Sequence, residues 1–117
     1  MKRDLELMRA ILLNLEEQPY TRGFHQLSIP GRSGEEVSEH VRLLSDAGLI
    51  EAVDLSTHDG ECWLPTRITN EGYDFLDAAR VETLWTRAKK EVLSKTGTVT
   101  LEALKVTLSV LISRALK

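Results

Sequence analysis

The sequence predicts an α+β domain that is mostly helical. The expected order is a helix, a short strand, a helix, a β-hairpin, a long helix and an extra C-terminal helix. Apolar residues recur at intervals of three and four along four segments, which indicates amphipathic helices. These segments are residues 3–18, 33–47, 70–95 and 98–117. Asp59 and Gly60 lie between two β-prone stretches, and this dipeptide is a strong signal for a hairpin turn.

The composition is that of a folded globular chain. Its 117 residues match the usual size of one domain, and 42% hydrophobic with 28% charged residues excludes a disordered composition. The net charge of −3 and the pI of about 5.6 lower the expectation of nucleic-acid binding. They do not exclude it, because a local basic patch matters more than the total charge.

The same composition limits covalent and membrane chemistry. Cys62 is the single cysteine, so we expect no internal disulfide and no site built from several thiolates. Charged residues interrupt both the N-terminal segment and the apolar C-terminal segment. We therefore expect neither a signal peptide nor a membrane span, and the simplest expectation is a cytoplasmic protein.

Apolar residues and a helix-breaking proline predict where the first helix lies and where it ends. One helix face carries Leu5, Met8, Leu12 and Leu15. Pro19 disfavours the helical conformation at the residue before it and ends the helix. Residues 24–29 are predicted to form a short strand. No second helix fits convincingly between Pro19 and Arg32.

The helix over residues 33–47 has clear start and stop signals. Ser33 and Glu36 have the spacing of a capping box, and Gly48 can adopt the left-handed conformation that closes a helix. The apolar stripe consists of Val37, Val41 and Leu44. His40 falls on this stripe, so we predict a partly buried, hydrogen-bonded histidine rather than a ligand to a metal.

Residues 49–69 are predicted to form the hairpin. An Asp59–Gly60 loop pairs Thr57 with Cys62, Leu55 with Leu64, Val53 with Thr66 and Glu51 with Ile68. The core side then carries Val53, Leu55, Leu64 and Ile68, and the outer side carries Trp63 and Arg67. Trp63 is expected either to be exposed as an interaction residue or to be covered by the next helix. His58, Asp59, Glu61 and Cys62 are close in sequence, but one tight turn cannot easily direct four donors at one ion, so we expect no metal.

The C-terminal third predicts two helices. The first runs continuously over residues 70–95, begins at a cap formed by Thr69 or Asn70, and ends at Gly97. The second extends from Thr98 or Thr100 to the end. Its apolar residues occupy more than one face, which favours burial against another subunit. Candidate oligomerisation residues are Leu101, Leu104, Leu108, Leu111, Ile112 and Ala115, and the alternative is packing against the preceding helix.

Several separated motifs carry a family resemblance. HVRLLSDAGLI resembles the third helix and first wing strand of winged-helix domains, and PTRITNEGYDFLDAAR resembles the second wing strand and following helix. Three segments together resemble a bacterial and prophage-associated family, domain of unknown function 2513. They are MKRDLELMRAILLNLEEQP, EEVSEHVRLLSDAGLIEAVDLST and CWLPTRITNEGYDFLDAAR. The resemblance implies a winged-helix-like domain over residues 1–95. It implies no activity and no site residues. Residues 96–117, outside the resemblance, are predicted to form a C-terminal helix that serves as an oligomerisation element.

Acidic residues dominate the surface where a winged-helix domain would contact DNA. Helix 33–47 has Glu35, Glu36, Glu39 and Asp46 against a single Arg42. The predicted hairpin tip adds Asp54, Asp59 and Glu61. A carboxylate 4–6 Å from a phosphate costs on the order of 1 kcal/mol or more, so the usual docking mode is disfavoured.

The sequence therefore predicts a non-enzymatic protein that acts by protein–protein interaction and associates with itself, as an adaptor or modulator of phage or mobile-element type. No nucleophile–base set, phosphate loop or cofactor motif is apparent. Interaction candidates are Glu35, Glu36, Glu39, Arg42, Asp59, Trp63 and Arg67. The alternative is a sequence-specific DNA-binding regulator. Its candidate contacts are Arg22, Arg32, Arg87, Lys89 and Lys90.

Overall fold

The computed structural model describes residues 1–116, which form five α-helices and one two-stranded antiparallel sheet. The elements are α1 (Leu5–Glu17), α2 (Gly34–Asp46), β1 (Ile50–Asp54), β2 (Trp63–Ile68), α3 (Asn70–Ala79), α4 (Glu82–Thr96) and α5 (Leu101–Ala115). The predicted α+β, mostly helical class is confirmed. None of the helices in this described part has the length and apolar character needed to cross a membrane.

Packing divides the chain into two compact units. The first is Met1–Tyr73 and the second begins at Asp74, so the division falls within α3. The sequence placed a boundary after residue 95 instead. The first unit holds α1, α2 and the hairpin, and the second holds α4 and α5.

In the first unit, α1 begins at Asp4, whose carboxylate accepts a hydrogen bond from the Leu7 amide at 3.1 Å. This contact satisfies one of the amides that a helix start leaves unpaired. The buried face consists of Leu7, Met8, Ile11, Leu12 and Leu15. Gln18, the residue before Pro19, is extended, so the helix ends where the sequence predicts.

The predicted strand over residues 24–29 is wrong. Residues 18–33 of the described chain contain neither helix nor strand, which also confirms that no second helix lies there. The His25 amide donates one hydrogen bond to the Pro65 carbonyl of β2 at 2.8 Å, but a single bond does not make a ladder. Phe24 is 46% exposed, so the segment lacks the buried face that would hold a third strand.

The predicted signals of α2 are confirmed. The Ser33 hydroxyl accepts from the Glu36 amide at 3.1 Å, and the Glu36 carboxylate accepts from the Ser33 amide at 3.3 Å. Gly48 follows the helix with φ of 77°. The buried face consists of Val37, Ser38, His40, Val41 and Leu44.

The hairpin register differs from the predicted one. Observed pairs are Ile50 with Ile68, Glu51 with Arg67, Ala52 with Pro65, Val53 with Leu64 and Asp54 with Trp63, with an irregularity between Glu51 and Ala52. Thr57 and Gly60 exchange two backbone hydrogen bonds, so His58 and Asp59 form the loop. The turn lies one residue earlier than predicted. The partners shift by two residues for Ala52, Val53 and Asp54, and by one residue for Ile50 and Glu51. Leu55 lies beyond the end of β1 and is 44% exposed rather than part of the core.

The hairpin joins α3 through a close backbone contact at Gly72. The Thr69 amide donates to the Leu49 carbonyl at 3.0 Å, and the Thr69 hydroxyl donates to the Gly48 carbonyl at 2.6 Å. The same hydroxyl accepts from the Gly72 amide at 3.0 Å, which confirms Thr69 as the cap. A Cβ atom on Gly72 would lie 1.9 Å from the Leu49 carbonyl oxygen, so only glycine fits.

In the second unit, the single helix predicted over residues 70–95 is wrong. Val81 is extended, with φ of −78° and ψ of 108°, and separates α3 from α4. In α4 the buried residues are Trp85, Ala88 and Val92, whereas Leu84, which the sequence placed in the apolar face, is half-buried. Trp85 is the largest fully buried side chain in the described chain.

Trp85 has defined aromatic and cationic contacts. The Phe75 ring meets it edge to face, with centroids 6.2 Å apart, and the Lys89 ammonium lies 5.5 Å from its ring centroid. Gly97, with φ of 76°, ends α4 as predicted. Thr100 caps α5, because its hydroxyl accepts from the Ala103 amide at 3.1 Å, and α5 packs on α4.

Candidate functional site

Two adjoining grooves flank the first half of α2 in the first unit. One groove, of about 540 Å³, is lined by the start of the chain, α2 and the hairpin tip; we call it the acidic groove. Its lining residues are Met1, Lys2, Arg3, Glu35, Glu39, His40, Leu43, Asp59, Gly60 and Glu61. Glu35 and Glu61 also line the second groove, so the two form one continuous surface.

The second groove, of about 450 Å³, is mainly apolar; we call it the tryptophan groove. Its apolar walls are Leu27, Val37, Val41, Trp63, Leu64 and Pro65. The Trp63 side chain is half-buried, and its backbone amide donates to the buried Ser38 hydroxyl at 2.8 Å. This hydrogen bond fixes the start of β2 beside α2, which places Trp63 at the groove.

The charges of the acidic groove do not cancel. Four carboxylates line it from α2 and the hairpin, whereas the basic groups are the Lys2 and Arg3 side chains and the amino group of Met1. Arg42 lies next to it and forms long ion pairs with Glu39 at 3.8 Å and Glu61 at 3.5 Å. Because the Arg42 and Glu61 side chains are 43% and 59% exposed, water screens this attraction strongly.

His40 fixes the start of the chain against α2. Its ring is 1% exposed, its Nδ1 lies 2.8 Å from the Glu36 carbonyl oxygen, and its Nε2 accepts from the Asp4 amide at 2.8 Å. The carbonyl can only accept and the amide can only donate, so the ring is neutral with its proton on Nδ1. The predicted hydrogen-bonded histidine is confirmed. The bond to Asp4 also holds Lys2 and Arg3 near the acidic groove.

Arg32 joins the same two helix starts. Its guanidinium lies 2.6 Å from the Asp4 carboxylate and 3.4 Å from the Glu36 carboxylate. Partial burial alone would raise the pKa of Asp4, but hydrogen bonds from Arg32 and from the Leu7 amide outweigh it and lower the pKa. The Ser33 amide, with help from Arg32, lowers the pKa of Glu36. Both carboxylates therefore serve the fold at this junction.

Comparison with known proteins gives the family. A family model described as "Hypothetical protein (DUF2513)" matches residues 2–98. The chain belongs to this family. It is also 38% identical over 117 residues to a protein of Haemophilus influenzae (strain ATCC 51907 / DSM 11121 / KW20 / Rd) described as "Uncharacterized protein", with 99% of each chain covered. No solved structure matches the chain.

The structure brings together four of the seven interaction residues predicted for this DUF2513 chain. Glu35, Glu39 and Asp59 line the acidic groove, and Trp63 lines the tryptophan groove. Glu36 instead takes part in the capping box and the Arg32 ion pair. The sequence noted Glu61 as an acid of the hairpin tip, but only the folded hairpin shows that Glu61 lines both grooves.

Arg67 does not accompany Trp63. Its guanidinium pairs with the Glu51 carboxylate at 2.9 Å, which lowers the pKa of Glu51. It lines a separate groove of about 310 Å³ together with Tyr20 and Tyr73. Trp63 and Arg67 therefore line different grooves in this DUF2513 chain.

Four of the six candidate oligomerisation residues are buried within a single chain. Leu101, Leu104, Leu108 and Leu111 are each 6% exposed or less, on a helix that packs on α4. They are not available to a second subunit, which corrects their assignment to an intersubunit surface. Ile112 is half-buried and Ala115 is exposed.

The basic residues named for DNA binding have mixed surroundings. Arg22 and Lys90 are exposed. Arg32 forms the ion pairs described above, Arg87 pairs with Glu91 at 3.5 Å, and Lys89 lies over Trp85. Within residues 1–116 of this DUF2513 chain, no group of three or more His, Cys, Asp or Glu side chains is arranged to hold a metal ion.

Proposed function

We propose that this DUF2513 protein is a non-enzymatic adaptor or modulator that binds another protein through the acidic and tryptophan grooves and also associates with itself. One observation carries the proposal: Glu35 and Glu61 line both grooves, so carboxylates lie directly beside an apolar surface. Interfaces between proteins combine an apolar centre, in which tryptophan is enriched, with charged residues at the rim.

The lining chemistry specifies the partner. A lysine or arginine side chain in the acidic groove would place its cation near Glu35, Glu39 and Glu61 and its aliphatic stem near Leu43. An apolar side chain next to it would enter the tryptophan groove. The matching ligand is therefore a peptide segment in which basic residues flank a large apolar residue.

The winged-helix-like assignment is part of this proposal. The order α1, α2, hairpin and α3 supports it, with α2 in the position of a recognition helix and the hairpin in the position of a wing. We attribute the protein to the phage or mobile-element type on the strength of the family resemblance. The acids of α2 favour a basic protein partner over a phosphate backbone.

A peptide-display selection with random 12-residue peptides tests the proposal. The selected peptides should combine basic residues with a large apolar residue, and they should bind the full chain in calorimetric titrations. The double variant Glu35→Lys/Glu61→Lys should weaken binding by at least about tenfold, since it reverses two charges that both grooves share. Each single variant, Glu35→Lys and Glu61→Lys, is also measured, and Asp46→Lys is the control that matches them in charge. Asp46 is an exposed acid at the end of α2 that lines neither groove, so this control should retain binding.

The outcome that contradicts the proposal is equally specific. Equal loss of peptide binding in the control and in the double variant would show that overall charge, and not the grooves, determines binding. In a parallel titration with random-sequence duplex DNA at low salt, binding should be weak. Micromolar affinity for DNA that falls steeply with added salt would instead favour the DNA-binding regulator.

A further inference from the structure

The outer face of α5 carries an exposed row at intervals of four residues. Its members are Glu102, Val106, Val110 and Arg114; we call it the α5 row. Val106 is 56% exposed and Val110 is 43% exposed, and the Glu102 side chain is 80% exposed. The four buried leucines of α5 lie on a different face. Glu102 and Val106 also line a groove of about 420 Å³ beside the end of α4, and Val110 and Arg114 lie outside this groove.

The helix itself explains only part of this row. An acid in the first turn and a base in the last turn both favour the helix dipole, which accounts for Glu102 and Arg114. Valine is a poorer helix former than alanine or leucine, so two exposed valines in the middle gain nothing from helix propensity. The two valines form the apolar centre of the row, with a charged residue at each end.

The row is complementary to itself when two copies run antiparallel. Glu102 lies four residues before Val106, and Arg114 lies four residues after Val110. A two-fold axis midway between the valines would set each Val106 against the partner's Val110. It would also set each Glu102 against the partner's Arg114. A parallel arrangement would instead oppose like charges, so the sequence of the row selects the antiparallel one.

We propose that the α5 row is the self-association surface, and that its occupant is the same row of a second copy. This inference rests on the self-association proposed above and replaces the buried leucines as its site. Ser109 and Ser113 are exposed beside the row, and their small side chains allow a close approach of the two helices. One helix face per subunit is small for a protein interface, so the dimer is weak.

Sedimentation equilibrium of the full chain over a wide concentration range tests this surface through charge exchange. Glu102→Arg and Arg114→Glu should each weaken dimerisation by at least about tenfold, because each places like charges together. The combined variant Glu102→Arg/Arg114→Glu should return within about threefold of the wild type, because the attraction is restored with reversed sign. Helix content from circular dichroism is recorded for each, since the exchanged charges oppose the helix dipole.

A second variant avoids the charges. Val106→Thr keeps the shape of the side chain and should weaken the dimer about fivefold through the added hydroxyl. Leu93→Gln is the matched control, because Leu93 is 54% exposed but lies on α4 and should leave the dimer unchanged. The assignment would be overturned if Leu93→Gln weakened the dimer as much as Val106→Thr. It would also be overturned if the combined charge variant dimerised no better than either single charge variant.

The two proposals fail separately. A wild-type chain that stays monomeric at millimolar concentration refutes self-association as well as the α5 row. If the chain dimerises but no variant of the α5 row weakens the dimer, the assignment of the row is refuted and self-association is not. Peptide binding at Glu35 and Glu61, measured on the same row variants, should be unchanged in either case, because those residues lie in the first unit.

Discussion

Replacing Gly72 by alanine tests the join between the hairpin and α3. The added Cβ would lie 1.9 Å from the Leu49 carbonyl oxygen, 2.7 Å from Cγ2 of Ile68 and 2.9 Å from the Leu49 carbonyl carbon. Ordinary contact begins near 3.4 Å, so the backbone would have to move by 3.4 − 1.9 = 1.5 Å. The glycine is required for space rather than conformation, because Gly72 is not among the residues with positive φ.

The free energy of unfolding should fall by about 2–4 kcal/mol. A movement of this size would break the hydrogen bonds from Thr69 to the Leu49 and Gly48 carbonyls, each worth about 1 kcal/mol. Overpacking costs about 1–3 kcal/mol more. The better helix propensity of alanine returns at most about 1 kcal/mol. At roughly 4 °C per kcal/mol for a chain of this size, Tm should fall by about 8–16 °C.

Thermal and urea unfolding followed by circular dichroism measure this effect. The matched control is Gly34→Ala, because Gly34 opens α2 and its added Cβ would meet no atom within 4 Å. That variant should unfold at the wild-type temperature or slightly above it. If Gly72→Ala were as stable as Gly34→Ala, the close approach of Gly72 to the Leu49 carbonyl would be wrong.

Three further variants test the other contacts. His40→Ala should lower the free energy of unfolding by about 2–4 kcal/mol in urea titrations, since it leaves a cavity and the Asp4 amide unpaired; a loss under about 1 kcal/mol contradicts this. Arg32→Met should flatten the acid limb of the stability profile. In the folded chain the pKa values of Asp4 and Glu36 are lowered. The stabilisation that results is complete above the unfolded pKa of about 4, and it is lost as the pH falls through the folded pKa. An unchanged slope in urea midpoints measured below about pH 4 would refute the pairing. Trp85→Ala should lower the free energy of unfolding by about 3–5 kcal/mol and reduce the near-ultraviolet dichroism, and a smaller loss in Trp85→Phe is its control.

Local signals in the sequence were sufficient for several elements. The Ser33–Glu36 capping box, the Thr69 cap and the glycines after α2 and α4 depend on residues a few positions apart, so the sequence alone predicts them. The break before α4 has no such signal. Arg80 and Val81 are neither glycine nor proline, and the helix ends there without a breaker.

The remaining errors share a physical cause. The two possible hairpin turns share Asp59. The irregularity between Glu51 and Ala52, which pairs the buried Ile50 with the buried Ile68, has no local signal in the sequence. The candidate site was predicted in part, because the acids of α2 are adjacent on one helix. The nearness of Lys2 to the hairpin tip depends on tertiary structure, which no spacing in the sequence encodes.

The hairpin tip offers a position for a reporter. Thr57 and Gly60 close the turn with their own two hydrogen bonds, so a change at His58 need not disturb the strands behind it. Asp59, the next residue, lies at the edge of the acidic groove. With Cys62 replaced by serine, a dye on a cysteine at position 58 would signal a ligand entering that groove without occupying it.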